Sequence, residues 1–80
     1  MTREWIKPRK ITVNGRVTSL RLEPAFYFWL RQIACEVGTP VTKLVAHIDK
    51  ARDPDRSLSS AVRVFVTRYL HDHPLPGTAR

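Results

Sequence analysis

From Val17 to Leu22 the sequence alternates in character, and within two residues it changes to the period of a helix. Leu20 and Leu22 fall on one face of a strand; Val17, Ser19 and Arg21 fall on the other. A lone short strand leaves its peptide groups unpaired, so it must pair with a neighbour or with a second copy of itself. Asn14-Gly15 stands just upstream, between Ile11-Thr12-Val13 and Arg16-Val17-Thr18. Asn-Gly between β-branched runs signals a hairpin, because both residues accept positive φ. Two arrangements are therefore open. The chain turns at Asn14-Gly15 and pairs 11–13 with the following strand, or these residues only lead into a single strand at 17–22. In the second case two copies pair antiparallel and build a two-stranded ribbon.

Three helices follow. Glu23-Pro24 starts the first, since a proline in the first turn loses no hydrogen bond. Phe26, Trp29, Leu30, Ile33, Ala34 and Val37 recur at three- and four-residue steps and make its apolar stripe. Gly38 suits the left-handed turn that ends it. Thr39-Pro40 reads as N-cap and first residue of a second helix, which runs to about Arg52 with Val41, Leu44, Val45 and Ile48 on one face. Asp53-Pro54-Asp55-Arg56 breaks it. Ser57 caps a third helix from Leu58 to about His71, with Leu58, Ala61, Val62, Phe65, Val66, Tyr69 and Leu70 as its stripe. The sequence thus divides into a basic N-terminal arm (1–10), a domain of ribbon and helices (11–72) and a C-terminal tail (73–80).

Eighty residues form one domain, and a chain this short buries only about 60% of the surface its unfolded form exposes. A single cysteine excludes an internal disulfide, so a small unstapled core argues for oligomerisation. The net charge is +7, and it is uneven. Residues 1–21 hold six Lys and Arg against Glu4, whereas residues 22–56 balance five against five. A solvated basic tail and an electrostatic footprint for a polyanion both have this composition. Its coincidence with an exposed ribbon face favours DNA, whose major groove admits a two-stranded β-ribbon. No apolar run is long enough to span a bilayer and none follows the N-terminal charges, so a cytoplasmic protein without signal peptide is expected.

Strand, helix, glycine turn and helix in this order resemble the ribbon-helix-helix family of bacterial DNA-binding proteins, to which the Arc and MetJ repressors belong. The residues that carry the likeness are Ser19-Leu20-Arg21-Leu22-Glu23, Phe26, Leu30, Ile33-Ala34, Gly38-Thr39 and Leu44. The chain is similar above all to a group of short bacterial members with a Thr-Ser-Leu-x-Leu-Glu strand and a later Leu-Ser-Ser-Ala-x-Arg-Val segment. Here these are Thr18 to Glu23 and Leu58 to Val64. The resemblance implies a mainly α fold with a short β ribbon: a ribbon-helix-helix unit with an additional C-terminal helix, assembled as an intertwined homodimer. It makes Val17, Ser19 and Arg21 the groove-facing residues, and it makes the start of the second helix, Thr39, Val41, Thr42 and Lys43, a phosphate clamp. Val17 is apolar where members often carry polar or charged residues, and a valine suits a thymine methyl.

The chemistry of these residues fits that placement. Arg21 can donate two hydrogen bonds to guanine O6 and N7, and Ser19 can meet a base edge. A helix N-terminus offers unpaired N–H groups to a phosphate. Lys7, Arg9, Lys10 and Arg16 can track the backbone, each neutralised phosphate steepening the salt dependence by about 0.9 in log–log slope. The expected function is sequence-specific binding of double-stranded DNA by a homodimer, as a transcriptional regulator or repressor. The alternative is a protein-interaction module, antitoxin-like roles included, that docks a partner through the aromatic helix or the third helix. Of the block Phe26-Tyr27-Phe28-Trp29, Phe26 and Trp29 are expected in the core, and Tyr27 or Phe28 at a partner. Cys35 is expected to pack beside the core. His47, His71 and His73 are expected to be solvated, with no metal or other cofactor. No nucleophile–base pair, carboxylate pair or phosphate-cradling loop converges, so no enzyme is expected.

Overall fold

The computed structural model describes residues 8–73. Within them lie β1 (Pro8–Val13), β2 (Arg16–Arg21), α1 (Pro24–Val37), α2 (Val41–Ala51) and α3 (Leu58–Asp72). The two strands pair with each other, antiparallel. Of the two arrangements open to Asn14-Gly15, the hairpin is the one formed. Asn14 has φ 51° and Gly15 φ 81°. Positive φ at both central residues is the type I′ turn, whose twist matches that of the strands it joins. A two-residue loop of this kind brings β1 against β2 with little loop-closure cost.

Strand β1 is also longer than the expected 11–13. Pro8, Arg9 and Lys10 belong to it rather than to an arm. Pro8 is tolerated as the first residue of an edge strand, where its missing N–H breaks no ladder bond. The register pairs Arg9 with Leu20, Ile11 with Thr18 and Val13 with Arg16 on one face. Pro8 with Arg21, Lys10 with Ser19 and Thr12 with Val17 occupy the opposite face. Val13 and Leu20 on the first face, and Leu22 just beyond the strand, are buried against the helices.

Helix α1 ends as its glycine requires. Gly38 takes φ 76°, its N–H donates to the Cys35 carbonyl at 3.2 Å, and the Thr39 N–H donates to the Ala34 carbonyl at 3.0 Å. Thr39 thus closes α1 and does not cap α2, contrary to expectation. Pro40 takes the N-cap position with φ −63° and ψ 151°, and no side chain caps the helix. Ser57 does cap α3, its hydroxyl accepting from the Ser60 N–H at 3.1 Å.

The core draws on every element: Leu30, Ile33 and Ala34 of α1, Leu44, Val45 and Ile48 of α2, and Ala61, Val62 and Val66 of α3 join the ribbon residues. Phe26, Trp29, Phe65 and Tyr69 are partly buried at its margin. Two expectations fail on α1. Cys35 is exposed, because it lies about 100° round the helix from Ala34, off the buried stripe. Val37 is half exposed, being the last helical residue before the chain turns away at Gly38. Helix α3 packs on α1 and α2 of its own chain, and the Tyr69 hydroxyl donates to Glu36 Oε1 at 2.9 Å across the α1–α3 contact.

Candidate nucleic-acid interface

The ribbon is anchored at both ends and along one face. At the tip, Asn14 Nδ2 donates to Asp49 Oδ2 at 3.1 Å and reaches the Ala46 carbonyl at 3.5 Å, tying the turn to α2. Asp49 also accepts from Arg52 Nε at 2.9 Å. The bond from Arg52 and then that from Asn14 hold the Asp49 carboxyl below its ordinary range, against the opposing effect of burial.

At the base, α3 grips the backbone of Arg21. The Arg21 N–H donates to Ser59 Oγ at 2.9 Å, and the Arg21 carbonyl accepts from Arg63 Nη2 at 3.2 Å. Arg63 Nε reaches Glu23 Oε1 at 2.9 Å. A hydrogen bond from its own backbone, followed by that from Arg63, lowers the Glu23 pKa. This grip follows from hairpin geometry. With Val13 and Arg16 closing the turn, alternate residues Arg16, Thr18 and Leu20 bond to β1, and the peptide groups of Val17, Ser19 and Arg21 point away from it. Those of Arg21 would be left unpaired without Ser59 and Arg63. The Leu58-Ser59-Ser60-Ala61-Val62-Arg63 segment thereby has a physical role: it fixes the junction between β2 and α1.

Two of the basic residues assigned to phosphate, Arg9 and Arg16, stand on the face of the ribbon that carries Val13 and Leu20. The Arg9 guanidinium lies 4.0 Å from the centroid of the Tyr27 ring, a cation–π contact. Arg16 stands on the same face by register, opposite Val13, and stays exposed. The outer face is free: Pro8, Lys10, Thr12, Val17, Ser19 and Arg21 are all exposed, Val17 by 69%. The three residues expected to face a groove do share one open surface, with α3 fixing the backbone of Arg21 beneath it.

A family model described as a ribbon-helix-helix domain matches residues 6–70. The chain belongs to the ribbon-helix-helix family. Members of this family are generally DNA-binding regulators of transcription, typically dimeric, and the domain is not of an enzymatic kind. Among solved structures, an uncharacterized protein from Bordetella pertussis Tohama I has a similar fold. Its TM-score is 0.68 at 24% identity, over 96% of this chain and 69% of that one. No curated protein matches the sequence significantly.

Thr42 and Lys43 are exposed, and Thr39 and Val41 are half-buried, around the first turn of α2. With no side-chain cap there, the Val41, Thr42 and Lys43 amides have no partner within their helix, whereas the Leu44 N–H donates to the Pro40 carbonyl at 3.0 Å. Lys7 lies outside the described residues. Tyr27 is half-buried beneath Arg9, while Phe28 is half exposed and meets Trp29 edge-on at 5.0 Å. His47, His71 and His73 are exposed, and the His73 ring stacks on Tyr69 at 4.2 Å. Among the described residues no group of three or more His, Cys, Asp or Glu could hold a metal, and no helix is long and apolar enough to cross a membrane. Sequence reasoning missed Thr12 as an outer-face residue and the roles of Ser59 and Arg63. The signal for Thr12 was available: once Asn14-Gly15 is taken as a two-residue turn, Thr12 must face Val17.

Proposed function

We propose that this chain is a cytoplasmic transcriptional regulator of the repressor type that binds double-stranded DNA sequence-specifically, laying the outer face of its ribbon in the major groove. One observation carries the proposal. The outer face is wholly exposed, while the tip and base behind it are tied to α2 and α3, so its side chains are presented on a backbone that is already ordered. Arg21 reads guanine, Ser19 meets a base edge and Val17 contacts a thymine methyl. The amides of Val41, Thr42 and Lys43, with the side chains of Thr39, Thr42 and Lys43, hold a phosphate and set the register. The chain acts as a homodimer, each copy bringing its own ribbon, and the operator consists of two related half-sites.

The test is fluorescence anisotropy with duplex DNA at two salt concentrations, on wild type and Arg21→Ala. Salt-sensitive binding that Arg21→Ala weakens is the expected result. Exposed Phe28, Val37 and Val64 favour a second reading, a protein-docking module in which the ribbon serves only the fold. Undetectable binding at low salt would leave that reading in place.

A further inference from the structure

The outer face is built from two strands, and the three residues so far assigned to base reading all belong to β2. We infer that β1 supplies the other half of the reading surface, with Lys10 and Thr12 as specificity-determining residues, so that one chain carries a complete two-stranded reading head. The inference rests on the proposal that the ribbon enters the major groove, and it departs from the expectation that Lys10 neutralises a phosphate.

Register supplies the reason. Lys10 faces Ser19 and Thr12 faces Val17 on the exposed side. In a hairpin closed by Val13 and Arg16 these are the pairs without mutual hydrogen bonds, whose side chains stand closest, with Cβ atoms about 4.5–5.5 Å apart. Lys10 is also the diagonal neighbour of Arg21, about 7–8 Å away. A surface that brings Val17, Ser19 and Arg21 to base edges cannot leave Lys10 and Thr12 at the phosphates, because directly facing residues lie at the same depth on a pleated ribbon. Nor is Lys10 engaged elsewhere: among the described residues it makes no ion pair, in contrast to Arg9 of the same strand, which turns inward onto Tyr27. Its ammonium suits guanine O6 and N7, and Thr12 offers a hydroxyl to a base edge and a methyl to thymine. Lys10 and Thr12 are two residues apart, about 7 Å along the strand, so they meet different base pairs.

Selection of bound duplexes from a random pool, by wild type, Lys10→Ala, Thr12→Ala and Arg21→Ala, tests this. All three residues are exposed, and circular dichroism verifies that each variant folds. Lys10→Ala is expected to relax the preference at one base pair by about tenfold, Thr12→Ala at a second and Arg21→Ala at a third. If Lys10→Ala instead weakens binding to every sequence alike, with the log–log salt slope falling by about 1, Lys10 is a phosphate contact and the inference is wrong. An unchanged preference in both β1 variants, with Arg21→Ala still altering it, also overturns the inference but leaves the ribbon as reader. That result would follow if β2 paired in the complex with a second copy in place of β1. A wild-type pool with no enriched sequence would overturn both.

Discussion

Arg63 ties together the two sides of the strand-to-helix junction. It bonds the Arg21 carbonyl and the Glu23 carboxylate, which stand on either side of Leu22, a buried residue. Arg63→Ala removes both bonds from a pair about one-third and one-quarter exposed, and is expected to cost about 1–2 kcal/mol in urea unfolding. Ser59→Ala leaves the Arg21 N–H without its acceptor and is expected to cost about 1 kcal/mol. Acid acts on the same contacts. Glu23 and Asp49 have pKa values lowered in the folded state, so the unfolded chain binds more protons. The stability they contribute is fully present above the ordinary carboxylate values and is lost as pH falls through about 4 and below. Melting temperature measured from pH 6 to pH 3 is expected to fall, and Glu23→Gln is expected to flatten part of that fall. Little of this was legible in the sequence. The Leu-Ser-Ser-Ala-x-Arg segment stood out as a pattern, but its partners lie about forty residues upstream, and spacing along a chain does not reveal bonds across it.

Among the elements, local chemistry decided what could be read. Helix α1 begins at Pro24 and ends against Gly38 as the sequence predicts, and Ser57 caps α3, because each of these residues acts on its own neighbours. The start of α2 was misplaced by one residue: Pro40 rather than Thr39 takes the N-cap position, while the Thr39 N–H closes α1. The hairpin was legible as one of two arrangements: Asn14-Gly15 states the turn, while β1 is short, carries two basic residues in six and states its pairing weakly. Gly15 tests how far the turn matters. It holds φ 81°, and an added Cβ would meet nothing within 4 Å. Gly15→Ala is therefore expected to lose about 1 kcal/mol through backbone strain alone, with the loss appearing as faster amide exchange in β1 and β2 before the helices. Were the ribbon formed between copies, the same substitution would leave strand protection unchanged.

At the level of the whole molecule, a small core is divided among a hairpin and three helices, and basic charge collects on the hairpin. The six-residue outer face follows from pairing β1 with β2, which is why the sequence showed only its β2 half. Homodimerisation has a thermodynamic signature. If the folded state is a dimer, its melting temperature rises with protein concentration, and sedimentation equilibrium gives twice the chain mass. The expected outcome is a melting temperature several degrees higher at a hundredfold higher concentration. Concentration-independent melting at the mass of one chain would mean that the ribbon binds DNA as a single reading head.

Whether the outer ribbon face meets DNA is tested most directly by backbone amide chemical shifts, followed as duplex DNA is added. The largest changes are expected in residues 9–21 and in the first turn of α2, with the exposed surfaces of α1 and α3 nearly silent. Changes concentrated around Phe28 or Val64, with the ribbon amides unmoved, would contradict a DNA-reading ribbon.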